Sequence, residues 1–220
     1  MLKSAVETPG DRIRRKSLVR EYTEAIIIAV ILALFIRAFV AQAFKIPSGS
    51  MEPTLLVGDH ILVNKFIYGI RLPIVNNEII PVKSPKRFDI VVFRYPNDRS
   101  KDYIKRVIGL PLQKVQIINK KIYINDEPLN EHYGYYDDPH VVPGPRDNFG
   151  PVIVPPYNYF VMGDNRDHSH DSRFWGFVED SDLVGEAFII YWSWRQEGAF
   201  TTDPSESYIR WNRFGKLLLR

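Results

Sequence analysis

Apolar residues along this chain follow two patterns. From Ala25 to Ile36 they run without a polar break, AIIIAVILALFI. Beyond Phe44 they come in short runs broken by Pro, Gly, Asn and Asp. A long uninterrupted run predicts a helix, and short bounded runs predict strands. Arg37 follows the long run, and Ala38 to Phe44 continue it with small and apolar residues. With Tyr22 and Thr23 in front, the stretch reaches about 20 residues, enough for a helix to cross about 30 Å of hydrocarbon. An arginine near the end of such a helix can snorkel to the headgroups. The pattern therefore predicts a transmembrane helix over 23–43. Two other readings stand beside it. One is a buried core helix. The other is a cleaved leader, because Ala41-Gln-Ala43 has the small-x-small form of a cleavage site. Arg37 and the long tail in front count against the leader.

The short runs predict strands at His60–Ile67, Phe88–Tyr95, Tyr103–Leu110, Tyr159–Met162 and Ala187–Trp192. Val115–Ile118 and Lys121–Ile124, joined by Asn119-Lys120, predict a hairpin. No segment beyond Phe44 shows a persuasive 3.6-residue period. The exported part is expected to be mostly β, as a partly closed barrel or sandwich. Residues 119–158 are rich in Tyr, Pro, Asp and Asn and read as an insertion with loops. Its run His132–His140 reads as a surface loop rather than a binding motif.

Composition and charge narrow the class. The chain has 220 residues, 45% of them apolar, so one sizeable core is possible. Its net charge is +3. Residues 1–24 hold six Lys/Arg against four acids, whereas residues 45–220 hold 22 of each. The excess belongs to the tail, so the rest gives no electrostatic case for nucleic acid. The positive-inside rule puts the tail in the cytoplasm and 45–220 outside. There is no cysteine, which removes disulfides, thiol nucleophiles and cysteine metal sites.

Three segments carry candidate chemistry. Pro47-Ser-Gly-Ser-Met51 reads as a tight turn, with Gly49 permitting backbone angles that other residues resist. Such a turn offers hydroxyls and N–H donors but no base. Tyr103-Ile-Lys-Arg-Val-Ile108 puts Lys105 and Arg106 on opposite faces of a strand. One of them must leave the solvated face unless the strand is an edge. A lysine ordinarily titrates near 10.4, and burial among apolar groups lowers that by disfavouring the charge. Gly163 to Gly176 is dense in polar groups. Asp167-x-Ser169-x-Asp171 resembles the start of a calcium loop, but Ser172 and Val178 stand where its glycine and glutamate would be. His168 and His170 lack an evident third metal ligand. A Ser50-His-Asp triad through either histidine stays conceivable, and so does a purely structural network pairing Asp171 with Arg173.

Four segments together resemble the bacterial type I signal peptidases, membrane-bound Ser/Lys endopeptidases. They are Phe39 to Asp59, Phe88 to Pro96, Tyr103 to Pro111 and Met162 to Gly176, in that order behind one apolar run. The resemblance implies a mostly β fold: a signal-peptidase-type catalytic core over 44–111 and 159–220 with a β-rich insertion at 112–158. A cytoplasmic basic tail (1–22) and one transmembrane helix (23–43) would precede it. It implies Ser50 as nucleophile and Lys105 as general base. The Ser50 N–H and the Ser48 hydroxyl would form the oxyanion hole. Ser169 would hydrogen-bond and orient Lys105, and Asp171, Arg173 and Asp164 would brace the site. Phe44, Ile46, Tyr103 and Ile104 would line a cleft that takes an extended peptide with small P1 and P3 side chains. The expected reaction is removal of signal peptides from exported preproteins after Ala-x-Ala. It would take place on the outer face of the cytoplasmic membrane, with lipid as a partner, no nucleic acid, and no metal or organic cofactor. Leu112-Gln113 stand where the family usually has Gly-Asp, which puts the local turn in doubt. A self-cleaving Ser/Lys protein and a catalytically dead anchored β domain are the rival readings.

Overall fold

The computed structural model describes residues 18–35, 41–68, 70–71, 79–80, 83–195 and 208–218. It divides into two compact units, Met1–Ala38 and Phe39–Arg220. In the first, the described element is α1 (Leu18–Phe35). Its opening turns hold Arg20, Glu21 and Glu24, with Arg20 bonded to Glu24 one turn later at 2.8 Å. From Ala25 onward it is apolar, and Ile26, Ile28, Ile31 and Leu32 are exposed. Among the described residues no helix is long and apolar enough to cross a membrane. The expected single helix over 23–43 is not formed as such, because Ala41–Lys45 are a strand. The basic tail before Leu18 and residues 36–40 lie outside the described residues.

The second unit is mostly β. Its strands are β1 (Ala41–Lys45), β2 (Asp59–Asn64), β3 (Ile70–Arg71), β4 (Ile79–Ile80), β5 (Ile90–Tyr95) and β6 (Asp98–Gly109). There follow β7 (Lys114–Ile118), β8 (Lys121–Ile124), β9 (Glu127–Pro128), β10 (Phe149–Ile153) and β11 (Asn158–Met162). After the short helix α2 (Ser172–Trp175) come β12 (Val178–Glu179), β13 (Leu183–Ser193) and β14 (Lys216–Leu217). Eight strands form one antiparallel sheet in the order β1-β2-β13-β5-β6-β11-β12, with β14 on β13. A second sheet, β10-β7-β8-β9, is built from residues 114–153. β3 pairs with β4 alone.

Both faces of the large sheet are covered, which is why β5 reads as a continuous apolar run rather than an alternating one. Ile90 and Val92 join Ile61, Val63 and Ile190 in one buried cluster. Val91 and Phe93 join Val107, Tyr159 and Val161 in another. A third cluster takes Ile108 and Phe160 from the large sheet and Val115, Ile117, Ile122 and Ile124 from the small one. The hairpin β7–β8 turns through Asn119 (φ 47) and Lys120 (φ 69). Two successive residues at positive φ match the right-handed twist of the flanking strands, and asparagine tolerates that conformation.

Two details bear on the site. β6 pairs with β5 from Asp98 to Arg106, but with β11 only over Arg106–Gly109. The other edge of β6, from Asp98 to Tyr103 and on to Lys105, therefore has no strand partner among the described residues. The second detail is the turn after β6. Leu112 sits at φ 67 and is 69% exposed. Gln113 accepts from Leu110 N and from Arg87 Nη2, each at 2.9 Å. A leucine thus occupies a left-handed position that glycine takes without strain, and the glutamine side chain ties the turn.

Candidate active site

The serine segment folds as a short 3₁₀ turn, Gly49–Met51, with Ser48 extended in front of it (φ −137, ψ 155). Its anchors are apolar: Ile46 and Met51 lie in the first core cluster, with Leu55 just beyond. Gly49 does not use a positive φ, contrary to expectation. A Cβ there would press on the Glu52 carboxyl group at 3.2 Å, the far end of a flexible side chain. The Ser48 hydroxyl does not cap the turn.

Lys105 comes from β6 opposite Val91. Its Nζ lies 2.6 Å from Ser50 Oγ. Lys105 is 4% exposed and Arg106 is 1% exposed. Alternation predicted that one of the two would be buried. Both are, because the sheet is covered on both faces. Their environments differ. Arg106 makes a bidentate pair with Asp164 at 2.8 and 2.6 Å, and its guanidinium stacks 3.7 Å from the Tyr133 ring. Lys105 has no carboxylate within salt-bridge distance among the described residues. Burial lowers its pKa from 10.5 to about 8; the charges of Asp171 and Asp164 resist this and that of Arg173 assists it.

The polar loop 163–173 closes over the turn. Asn165 N donates to Ser50 O at 3.1 Å, and Asn165 Nδ2 donates to Gly49 O at 3.2 Å. Gly163 fills a gap that admits no side chain, since a Cβ would collide with the Ser50 carbonyl and the Ser169 hydroxyl. Asp171 accepts from Arg173 Nε at 2.8 Å and Nη2 at 2.9 Å, and from Gly163 N at 3.0 Å. Burial pushes the Asp171 carboxyl up, but Arg173 and these bonds hold it below its ordinary value. Arg173 also donates to the Arg146 and Arg166 carbonyls, each at 2.7 Å.

Ser169 is buried beside Gly163, its hydroxyl near enough to help hold the Asp171 carboxyl down, though not in good hydrogen-bond geometry with any group. No bond joins it to Lys105, whose amine donates to Ser50 Oγ. The run His132–His140 is a mostly exposed surface loop, as expected, and it also braces the site. Tyr133 packs on Arg106, Tyr135 N donates to Asp164 O at 2.7 Å, and Asp138 N donates to Asp167 Oδ2 at 2.9 Å. From the same side Glu131 pairs with Arg166, and Lys120 Nζ reaches Asp167 Oδ1 at 2.7 Å.

Of the four expected cleft residues, Phe44, Ile46 and Ile104 share the first cluster, Ile46 being 2% exposed. Tyr103 packs with the second cluster and stacks on Tyr95 at 4.4 Å. Neither histidine approaches the serine as a base: His168 pairs with Asp137 at 2.8 Å, and His170 stacks on Phe174. Asn165 and Gly163 were not singled out by residue chemistry. Their function lies in backbone contacts with a turn 113 or more residues away, which no local pattern reports.

A family model described as "Signal peptidase, peptidase S26" matches residues 19–192. A signal peptidase I of Pseudomonas fluorescens is 38% identical, over 84% of this chain and 76% of its own. A probable signal peptidase I-2 of Synechocystis is 39% identical, over 86% and 80%. A crystal structure of a signal peptidase I from Enterococcus faecalis aligns with 47% of this chain and 97% of that one, with 32% identity and a TM-score of 0.40.

Proposed function

This chain belongs to the S26 family of signal peptidases, a family of serine endopeptidases, and from that premise we propose that it cleaves signal peptides from exported preproteins with a Ser50/Lys105 dyad. The observation that carries the reading is the 2.6 Å approach of the Lys105 amine to Ser50 Oγ, with the lysine pKa lowered to about 8. A neutral amine at that distance can act as a general base.

In the proposed reaction Lys105 takes the Ser50 proton as Oγ bonds to the scissile carbonyl carbon. The oxyanion is held by the Ser50 N–H and the Ser48 hydroxyl. The C–N bond breaks, and the departing amine receives the proton from Lys105. Lys105 then deprotonates water, which attacks the acyl-enzyme and restores Ser50. Asp164, Asp171 and Arg173 brace this arrangement, and the Ser169 hydroxyl, not bonded to Lys105 in the free protein, turns to orient the amine when substrate binds. The substrate lies as an added strand on the unpaired edge of β6. Phe44, Ile46, Tyr103 and Ile104 leave room only for small P1 and P3 side chains, hence cleavage after Ala-x-Ala. The exposed apolar surface of α1 anchors the enzyme in the cytoplasmic membrane. The basic tail stays inside and the catalytic unit faces outward.

The test uses detergent-purified full-length protein and a preprotein with an Ala-x-Ala signal peptide, product termini being read by mass spectrometry. Cleavage after the final alanine by wild type, but not by Ser50→Ala or Lys105→Ala, is the expected result. Undiminished cleavage by Lys105→Ala would defeat the dyad.

A further inference from the structure

Asn165 is a buried amide that makes one of the four hydrogen bonds open to its side chain. The residue is 7% exposed, its Nδ2 donates to Gly49 O, and its Oδ1 is buried without a partner. An unmet buried acceptor is costly, so the side chain is not explained as part of a satisfied polar network. The bond it does make falls on a particular peptide group. Gly49 C=O and Ser50 N–H belong to the same peptide unit, which is not among the cis bonds of the chain. In a planar trans peptide the carbonyl and the N–H point in opposite directions. Fixing the carbonyl therefore aims the N–H. Gly49 O is held twice, by Asn165 Nδ2 at 3.2 Å and by Glu52 N at 3.1 Å. The Asn165 N–H holds the next carbonyl, Ser50 O, at 3.1 Å. One residue thus grips the carbonyls on both sides of the nucleophile.

We propose that Asn165 is a positioning residue for the oxyanion hole: its amide clamps and polarises the Gly49–Ser50 peptide so that the Ser50 N–H is aimed at, and strengthened toward, the developing oxyanion. The inference rests on the Ser50 nucleophile and oxyanion roles given above. Donation to a peptide carbonyl draws electron density from its nitrogen and makes the attached N–H a better donor. Because the clamp is set before substrate arrives, the donor needs no reorganisation during the reaction. The Asn165 side chain bonds neither Lys105 nor Ser50 Oγ, and its backbone N–H still holds Ser50 O when the amide is removed, so losing the amide acts first on the donor rather than on the base.

The test compares full-length wild type with Asn165→Leu, which keeps the shape and removes the amide without adding charge. The measurements are kcat, KM, the pH–rate profile and affinity for a peptide boronate, which forms a tetrahedral adduct on a serine. Removing an oxyanion donor outright costs about 100-fold or more in kcat. Loosening one should cost about tenfold. We expect that loss in kcat, KM within twofold of wild type, an unmoved acid limb, and a boronate affinity reduced by the same factor as kcat. A folded Asn165→Leu with kcat within twofold of wild type overturns the proposal. So does a loss of rate accompanied by a displaced acid limb, since the dyad itself would then be disturbed. If Asn165→Leu does not melt cooperatively, Asn165→Asp, which turns the donor into an acceptor facing Gly49 O, is read by its kcat, KM and boronate affinity. Ser50→Ala is carried alongside. Cleavage surviving in that variant refutes the Ser50 reading itself, an outcome distinct from normal turnover in the Asn165 variants alone.

Discussion

Lys105 Nζ and Ser50 Oγ, 55 positions apart in the chain, stand 2.6 Å from each other because a covered strand delivers the lysine to an apolar-anchored turn. The contact is a hydrogen bond from an amine to a hydroxyl in a place where the amine's charge is disfavoured. The following predictions depend on that arrangement and on the packing around it.

Activity should rise with pH through about 8, where Lys105 loses its proton, and level off above. Below that value the protonated lysine cannot accept the Ser50 proton, so the rate should fall about tenfold per pH unit. Single-turnover cleavage measured from pH 6 to 10 checks this. An acid limb centred near 10.5 would mean that burial does not act on this amine.

Lys105→Met should abolish cleavage while stabilising the protein at neutral pH. Lys105 binds its proton less tightly in the folded protein, about 8, than in the unfolded chain, 10.5. Folding below pH 8 therefore buries a charge at a cost. Raising the pH from 8 toward 10.5 relieves that cost, so wild-type stability gains relative to the variant across that window. Thermal unfolding at pH 7 and pH 10 should show Lys105→Met melting above wild type at the first pH, with a smaller gap at the second.

Gly163→Ala should lose at least about tenfold in kcat. Its methyl group would strike the Ser50 carbonyl on one side and the Ser169 hydroxyl on the other. Relief requires moving the Ser50 backbone, and overpacking of this kind costs about 1–3 kcal/mol. Parallel melting and kinetic measurements check it. A variant with wild-type turnover would show that the loop can retreat without carrying Ser50.

Leu112→Gly should stabilise the protein and leave catalysis unchanged. Leu112 is held at φ 67 with its side chain exposed. Relief of left-handed strain is worth about 1–2 kcal/mol, of which the greater freedom of unfolded glycine takes back up to about 1. The expected rise in melting temperature is about 2–4 °C at most. A fall would mean that the exposed leucine has a packing role.

Much of the β architecture was legible because its runs are bounded by strong turn residues. Pro111 and the Asn119-Lys120 pair mark turns where the strands do end. The helix was expected to reach residue 43 because the small and apolar residues after Arg37 offer no turn signal, whereas pairing with Leu62–Asn64 and Ile61 draws Ala41–Phe44 into a strand. Lys105 could be suspected, since two adjacent cations in an apolar strand force one of them inward. That both go inward depends on a second cluster covering the other face, and no local pattern in β6 reveals it. Gly49 departs from expectation for the same reason: a glycine advertises left-handed freedom, whereas here it takes none and only the flexible end of Glu52 lies near it. Asn165 was overlooked because its partners are main-chain carbonyls, which leave no trace in side-chain identity.

The small sheet has a consequence for anyone wishing to pare this protein down. Glu131 is the carboxylate partner of Arg166, a guanidinium 1% exposed, and Lys120 is bonded to the equally hidden Asp167. Excising residues 114–153 and bridging the gap would strip both charges of their counterions and open apolar neighbours of the same loop to water. A minimal version of the enzyme would therefore need neutral replacements at Arg166 and Asp167 before any cut was made, because the segment most tempting to discard also serves as the counterion for the loop over Ser50.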